Sequence, residues 1–294
     1  MKNIIKAEFH KIFHSIFFYT MPLGLIATLV TTVLASNEHS ERRISNQNFL
    51  QILGDTMEFM VIVIVCAGIF LTYLWSRERK NGYIKNIAGN VKGRHILTLS
   101  KLITGSSVVA MYSFFMLIFN TLFRLCYALI NGGKLTLIPA GLTDTDRISQ
   151  MSPEALRSLE EAKDTAYTSL RMNSFAFLTW ILGGIVIVAM LLMFFELFRS
   201  PVVGYILSIQ LLPMLAEGLI EKFVYLVSKF EKTGEYLIIR GLTKMQTFPV
   251  GMYGDEAEIE EFYPNSIGWM AFILCLYLAV FSLTAVFISK RKDV

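Results

Sequence analysis

The chain has 294 residues, of which 54% are hydrophobic and 17% are charged, and its mean hydropathy is +0.54. Soluble proteins carry roughly 25% charged residues, and here the charges are missing from long stretches and crowded between them. The composition excludes a secreted disulfide-stabilised domain, a disordered chain and a cytosolic enzyme. The net charge of +4 is informative only when the charges are assigned to the segments on each side of the membrane. We predict an all-α polytopic membrane protein.

Six stretches are long and apolar enough to cross a bilayer as helices. A helix needs about 20 apolar residues to cross roughly 30 Å of hydrocarbon. We treat residues 1–294 as a single transmembrane domain and place the spans at 15–35, 59–75, 102–130, 173–198, 202–220 and 267–289.

The distribution of lysine and arginine predicts the orientation of these spans. With the N-terminus inside, fourteen of them lie in the short internal segments 1–14, 76–101, 199–201 and 290–294. Twelve lie in the external segments 36–58, 131–172 and 221–266, which together are more than twice as long. The bias predicts a multi-pass membrane protein with both termini in the cytoplasm.

The first fourteen residues have the pattern of an amphipathic helix. Apolar residues recur at helical spacing from Ile4 to Phe13, and the lysines fall largely on the other face. Such a helix lies in the membrane interface. The pattern fits a positively charged anchor and a mechanical role equally well. His10 and His14 are spaced for a shared metal but have no further ligands nearby, so we predict no metal there.

The internal segment 76–101 holds seven basic residues, one acidic residue and three glycines. Its stretch 83–87 is long enough for a short helix with apolar residues. The positive-inside rule needs charge but not shape. A short helix between glycines is therefore more structure than an orientation signal requires, which indicates a further role for this segment.

Two external segments also carry helical or charged patterns. Ser152, Pro153 and Glu154 predict a helix start, with an N-cap, a proline in the first turn and an acid near the positive end of the helix dipole. The segment 221–266 contains an amphipathic stretch followed by an acidic run. The run is formed by Asp255, Glu256, Glu258, Glu260 and Glu261. It is either a solvated face or a contact site for cationic cargo.

Three charged residues fall within the predicted spans: Arg124, Glu196 and Glu217. Charges are expensive in lipid, so each is a candidate for the transport path. Their positions near the span ends leave snorkelling or local pairing as the alternative.

The sequence contains no recognisable catalytic motif. It lacks a GxxxxGK[ST] phosphate loop, an HExxH motif and a GxSxG motif. Its three cysteines lie far apart in apolar runs, which predicts packing residues and no disulfide or metal site. We therefore expect no catalytic residue, no metal and no cofactor in this chain, and no nucleic-acid partner.

Taken together, the layout resembles the membrane subunit of a type-two ABC exporter, the permease class found with bacitracin resistance and lantibiotic immunity. The topology is similar over nearly the whole chain. Glu8 and Lys11 match an ExxK pattern in the N-terminal helix. The internal segment has a glutamate, a glycine four residues later, a short apolar helix, and then basic residues leading into the third span: Glu78, Gly82, Arg94 and Lys101. The long segment 131–172 departs from the family, in which this link is usually short.

The resemblance implies that the 76–101 loop is a cytoplasmic coupling helix seated on a separate ABC ATP-binding subunit. Tyr83, Ile84 and Ile87 would be the apolar contacts, with Glu78 and Arg94 at helix ends or in salt bridges to the partner. The resemblance also implies that ATP and Mg²⁺ are bound by that subunit. It further implies a second membrane subunit, identical or related, a cargo path along the first, second and fifth spans, and a bacterial plasma membrane.

These patterns predict a permease subunit of an ATP-driven exporter that moves an antimicrobial or amphipathic peptide or a hydrophobic drug. The sequence leaves two alternatives open. One is an ATP-independent carrier that depends on Glu196 or Glu217, and the other is a membrane protein that senses peptides at its outer face.

Overall fold

The structure is a computed structural model that describes residues 2–38, 47–81, 94–142, 148, 151–198 and 266–291. About 90% of the described part is helical. The helices are α1 (Lys2–Phe13), α2 (Ile16–Glu38), α3 (Phe49–Glu58), α4 (Met60–Lys80), α5 (Arg94–Ile130), α6 (Pro153–Leu197) and α7 (Ser266–Arg291). The other elements are β1 (Gln47–Asn48), β2 (Leu135–Thr136) and a 3-10 turn (Ala140–Leu142).

Four of the described helices are long and apolar enough to cross a membrane, namely α4, α5, α6 and the Leu274–Arg291 part of α7. A fifth is added if α1 and the Ile16–Val30 part of α2, which meet at an angle of 55°, are counted as one bent span. These helices confirm a polytopic helical membrane protein. The predicted span at 202–220 lies outside the described residues.

Two helices extend well beyond their predicted spans. α5 begins at Arg94 instead of residue 102, so the last part of the predicted 76–101 loop is helical. α6 joins the predicted external helix and the fourth span into 45 continuous residues. At 1.5 Å per residue it is about 68 Å long, more than twice the thickness of the hydrocarbon core. The Ser152 side chain accepts a hydrogen bond from the Ala155 N–H at 3.3 Å, which confirms the predicted helix start.

The connection predicted at 36–58 contains a helix that the sequence analysis missed. α3 is capped by the Asn48 side chain, which accepts the Gln51 N–H at 2.8 Å. Its residues Ile52 and Met57 are fully buried, and α3 packs against α5 and α6. The strand β1 before it pairs in parallel with β2 over two residues. The helix was overlooked because ten residues are too few for a span and external connections were expected to lie outside the core.

Close contacts between α4, α5 and α6 depend on two glycines. A Cβ atom on Gly184 would lie 2.7 Å from Val109 Cγ1 and 3.1 Å from Ile64 Cγ1, and one on Gly105 would lie 2.8 Å from Val188 Cγ1. Without a strong hydrophobic driving force between membrane helices, small residues that allow close packing supply much of the association.

A hydrogen bond between Tyr112 of α5 and a backbone carbonyl of α2 joins these two helices. The carbonyl is available because of a proline one turn later in α2. Pro22 lies inside α2 and has no N–H, so it cannot donate to the carbonyl of Phe18 four residues earlier. The Tyr112 hydroxyl of α5 donates to that carbonyl at 3.1 Å. A neighbouring helix thus supplies the missing hydrogen bond, as membrane helices require.

We expect Gly184→Ala to lower the free energy of unfolding by about 1–3 kcal/mol, because the new methyl group collides with a stiff valine. The matched control is Gly24→Ala, where nothing lies within 4 Å of the added Cβ. Both changes replace glycine by alanine in a helix and gain the same helix propensity. The difference between their unfolding midpoints therefore reports the steric contact at Gly184. Thermal unfolding of the detergent-solubilised chain measures it, and equal midpoints for the two variants would contradict this packing.

Candidate functional site

Three helices meet at the end of the bundle that carries the predicted internal loop. α1 contributes Glu8 and Lys11, which are three residues apart and therefore share a face of the helix. α4 contributes Glu78 near its C-terminal end, and α5 contributes Lys101 in its second turn. We call these four residues the charge quartet.

The charge quartet forms a closed ring in which acids and lysines alternate. Lys11 Nζ donates to Glu8 Oε1 at 3.0 Å and to Glu78 Oε1 at 2.8 Å. Lys101 Nζ donates to Glu78 Oε2 and lies 3.6 Å from Glu8 Oε2. Each carboxylate therefore meets both lysines, and the formal charges cancel.

The burial of the charge quartet makes this pairing obligatory. Glu8 and Lys101 are each 1% exposed and Glu78 is 6% exposed. An unpaired charge in such surroundings would cost several kcal/mol in lost hydration. The ring therefore fixes how the ends of α1, α4 and α5 lie relative to one another.

A second ion pair ties the start of α5 to the end of α6. Arg94 Nη2 lies 3.2 Å from Glu196 Oε2. Thr98, one turn further along α5, hydrogen-bonds Ser289 of α7 at 2.8 Å and lies 3.5 Å from Glu196 Oε1. Glu196, one of the candidates for the transport path, is 3% exposed and lies in this contact between helices.

Arg79 is a residue of this region that the sequence analysis did not select. Its Nη2 donates to the Phe195 carbonyl at 2.8 Å and its Nη1 to the Phe198 carbonyl at 3.3 Å. Its guanidinium carbon lies 3.9 Å from the centre of the Phe195 ring. Arg79 thus binds carbonyls at the end of α6, where the helix dipole favours a cation. The sequence feature that could have identified Arg79 is the basic cluster at the end of the second span. Such a cluster is explained equally well by the positive-inside rule.

Arg124 lies in a separate polar cluster at the opposite end of α5. It pairs with Asp55 of α3 and donates to Gln47 Oε1 at 2.7 Å and to Asn120 Oδ1 at 3.3 Å. Burial raises the pKa of Asp55, although the Arg124 charge and hydrogen bond oppose the rise. Because Arg124 has these partners, its local role is to hold α3 against α5.

The two histidines of α1 stack on each other, with ring centroids 3.8 Å apart. The His14 Nδ1–H donates to the His10 carbonyl at 2.8 Å. Among the described residues there is no group of three or more potential metal ligands.

The structure unites four of the predicted residues in the charge quartet and places Arg94 in a neighbouring pair. Glu196 is the partner of Arg94, and Arg124 lies at the opposite end of α5. The other predicted positions lie outside the described residues: Gly82, Tyr83, Ile84, Ile87, Glu217, Asp255, Glu256, Glu258, Glu260 and Glu261. The two quartet members Glu78 and Lys101 stand on either side of the segment 82–93, which contains the predicted coupling contacts.

Residues 4–143, a little under half the chain, match the family model described as ABC-2 family transporter protein. The matched region runs from α1 to the 3-10 turn and includes the whole charge quartet. The match supports a type-two ABC permease. It does not distinguish the bacitracin-resistance and lantibiotic-immunity subclass. No curated protein and no solved structure shows significant similarity to the chain.

We expect Lys101→Met to destabilise the protein by about 3–5 kcal/mol, because it leaves two buried carboxylates with one lysine. The exposed Lys290 provides a control, and Lys290→Met should leave the unfolding midpoint nearly unchanged.

The double variant Lys101→Met with Glu78→Leu should recover most of that loss. It restores neutrality, because Glu8 and Lys11 remain as a pair, and hydrophobic replacement of a buried ion pair is often neutral. Thermal unfolding of the wild type, Lys101→Met, Glu78→Leu and the double variant gives the coupling energy between Glu78 and Lys101. If the double variant is destabilised by the sum of the two single losses, the charge quartet does not act as one unit.

Proposed function

We propose that this chain is the membrane-spanning permease subunit of an ATP-driven ABC exporter of the plasma membrane, with both termini in the cytoplasm. A separate ABC subunit binds ATP and Mg²⁺ and hydrolyses the nucleotide, and this chain has no catalytic residues of its own. A second membrane subunit, identical or related, completes the transporter. The single observation that carries the proposal is the family match over residues 4–143.

The charge quartet supports a mechanical role for the segment 82–93. A short helix transmits the movement of an ATPase only if the spans that it joins respond together. Glu78 lies in the last turn of α4 and Lys101 in the second turn of α5, and the two side chains are hydrogen-bonded to each other. Lys11 also binds Glu78, so the same displacement would reach α1.

Tyr83, Ile84 and Ile87 are the apolar residues we assign to the ATPase contact. In the sequence, Gly82 directly follows Asn81, the C-cap of α4, and glycine is the residue most often found just after the end of a helix. In this arrangement the ATPase pushes on a short apolar surface, and the charge quartet passes the displacement to three helices.

The rival hypothesis of a proton-coupled carrier has less support. A carrier needs a titratable group that can exchange protons with a water-filled path near the middle of the membrane. Glu196 instead accepts from Arg94 close to the end of α6. Loss of transport on Glu196→Gln or Glu217→Gln, together with inhibition by a protonophore, would favour the carrier.

For the cargo we propose an antimicrobial or amphipathic peptide or a hydrophobic drug. The support is the acidic run near residues 255–261, which attracts cationic peptides by simple charge complementarity. Export from the membrane or the cytoplasm follows from the class of transporter proposed.

We expect the tagged chain to retain an ATPase in mild detergent, and the double change Tyr83→Ala with Ile87→Glu to release it. A glutamate in an apolar contact removes packing and buries a charge without a partner. The measurement is nucleotide hydrolysis in the eluate.

The matched control is Tyr127→Ala with Ile130→Glu at the opposite end of α5, where Ile130 is exposed. It introduces the same residue types and should leave the ATPase bound. If the wild-type chain brings down no nucleotide-binding partner in several detergents, the permease proposal fails in favour of a carrier or a sensor.

We expect neutralisation of the acidic run to make cells severalfold more sensitive to a cationic peptide, if that run attracts the cargo. The variant replaces Glu256, Glu258, Glu260 and Glu261 by glutamine. The control neutralises four exposed acids of α6 in the same way: Glu154, Glu160, Glu161 and Asp164. Equal resistance in both strains would remove the charge argument for a cationic cargo.

A further inference from the structure

A cavity of about 400 Å³ lies between the junction of α1 with α2 and the C-terminal end of α4. Its polar lining residues are Lys11, His14, Ser15, Arg77, Glu78 and Asn81. The volume lies within the range of about 300–1,000 Å³ that is typical of small-molecule sites. The transport and coupling roles proposed above do not use this cavity.

The charge balance of the cavity favours an anion. Lys11 and Glu78 belong to the charge quartet, which is neutral as a whole. Arg77 adds a positive charge, and none of the described residues forms an ion pair with it. The lining therefore carries a net positive charge even with His14 counted as neutral.

The lining also offers hydrogen-bond donors suited to phosphate oxygens. Ser15 and Asn81 are lining residues, and a hydroxyl and a side-chain amide can both donate hydrogen bonds. Ser15 directly precedes α2, whose first-turn N–H groups carry a partial positive charge and favour anions. The Arg77 guanidinium presents paired donors that match the geometry of a phosphate.

Exposed apolar residues flank the lining residues His14 and Ser15 in the sequence. Ile16 is 71% exposed at the start of α2, and Phe13 and Phe17 are also exposed beside the lining residues His14 and Ser15. Phe17 packs against Tyr73 of α4 with ring centroids 4.8 Å apart. A ligand with a phosphate in the cavity therefore meets apolar surface on which hydrocarbon chains can lie.

We propose that this cavity binds the phosphate group of an anionic phospholipid from the adjoining leaflet. The basic lining holds the phosphate, and the exposed apolar residues at the start of α2 contact the acyl chains. Basic pockets between membrane helices on the cytoplasmic side commonly take such headgroups. The assignment rests on the orientation proposed above, which places this end of the bundle at the cytoplasmic leaflet. Because Lys11 lines the cavity and closes the charge quartet, a bound lipid supports the position of α1.

The test is a titration of the detergent-solubilised full chain with phosphatidylglycerol, followed by the thermal-unfolding midpoint. A ligand that binds the folded state raises the midpoint by an amount that grows with the logarithm of its concentration relative to Kd. Phosphatidylcholine and inorganic phosphate are titrated in parallel. We expect phosphatidylglycerol to raise the midpoint, and phosphatidylcholine and inorganic phosphate to leave it unchanged at equal concentration.

Arg77→Gln should raise the apparent Kd for phosphatidylglycerol, taken from the titration of the midpoint, about fivefold, the equivalent of roughly 1 kcal/mol for one basic residue at a membrane surface. Lys80→Gln removes the same charge from the last turn of α4 at an exposed position outside the cavity lining, and it should leave the response unchanged. Arg77→Lys keeps the charge and should recover most of the response, which separates lost binding from misfolding.

Three results would overturn the proposal. Equal weakening by Arg77→Gln and Lys80→Gln would mean general attraction to a charged surface. Equal responses to the two lipids would mean that charge is not recognised. Competition by inorganic phosphate at the concentration of the lipid would assign the cavity to a soluble phosphate. None of these results depends on an ATPase partner, so the permease proposal can stand or fall separately.

Discussion

A charge can remain buried in an apolar environment only when an opposite charge is hydrogen-bonded to it, because the lost hydration costs several kcal/mol. This constraint governs one end of the protein. Glu8, Lys11, Glu78 and Lys101 come from three helices, and the buried members Glu8, Glu78 and Lys101 would be unstable at their positions without an opposite charge. The arrangement of α1, α4 and α5 at this end therefore follows from the need to close a neutral ring.

Buried charges are paired at both ends of the bundle, with different partners at each end. At one end the charge quartet is joined by the pair Arg94–Glu196. At the other, Arg124 gathers Asp55, Gln47 and Asn120 and holds α3 against α5. Between the two ends the contacts are apolar and close, and glycines set the spacing of the helices. A bundle whose helices are fixed at both ends responds to a force as packed units, which suits a protein that transmits movement.

Lys11 links the mechanical and lipid-binding proposals, since it belongs to the charge quartet and also lines the cavity. α1 is held from two sides, by buried carboxylates within the protein and by the proposed phosphate at the membrane surface. An amphipathic helix in that position responds both to the bilayer and to α4 and α5. Under the two proposals, the N-terminal helix both transmits movement and binds lipid in addition to anchoring the chain.

The sequence by itself determined the long apolar helices α2, α4, α5, α6 and α7, the amphipathic α1 and the capped start of α6 at Ser152. These features depend on contiguous residues, because a chain in lipid must satisfy its backbone locally as a helix. The sequence also singled out Glu8, Lys11, Glu78 and Lys101 as motif residues but did not show that they meet. Lys11 and Glu78 are 67 positions apart, and their contact depends on how the helices rotate and shift when they pack. For the same reason, only the tertiary structure revealed that α3 is buried and that Arg79 binds the end of α6.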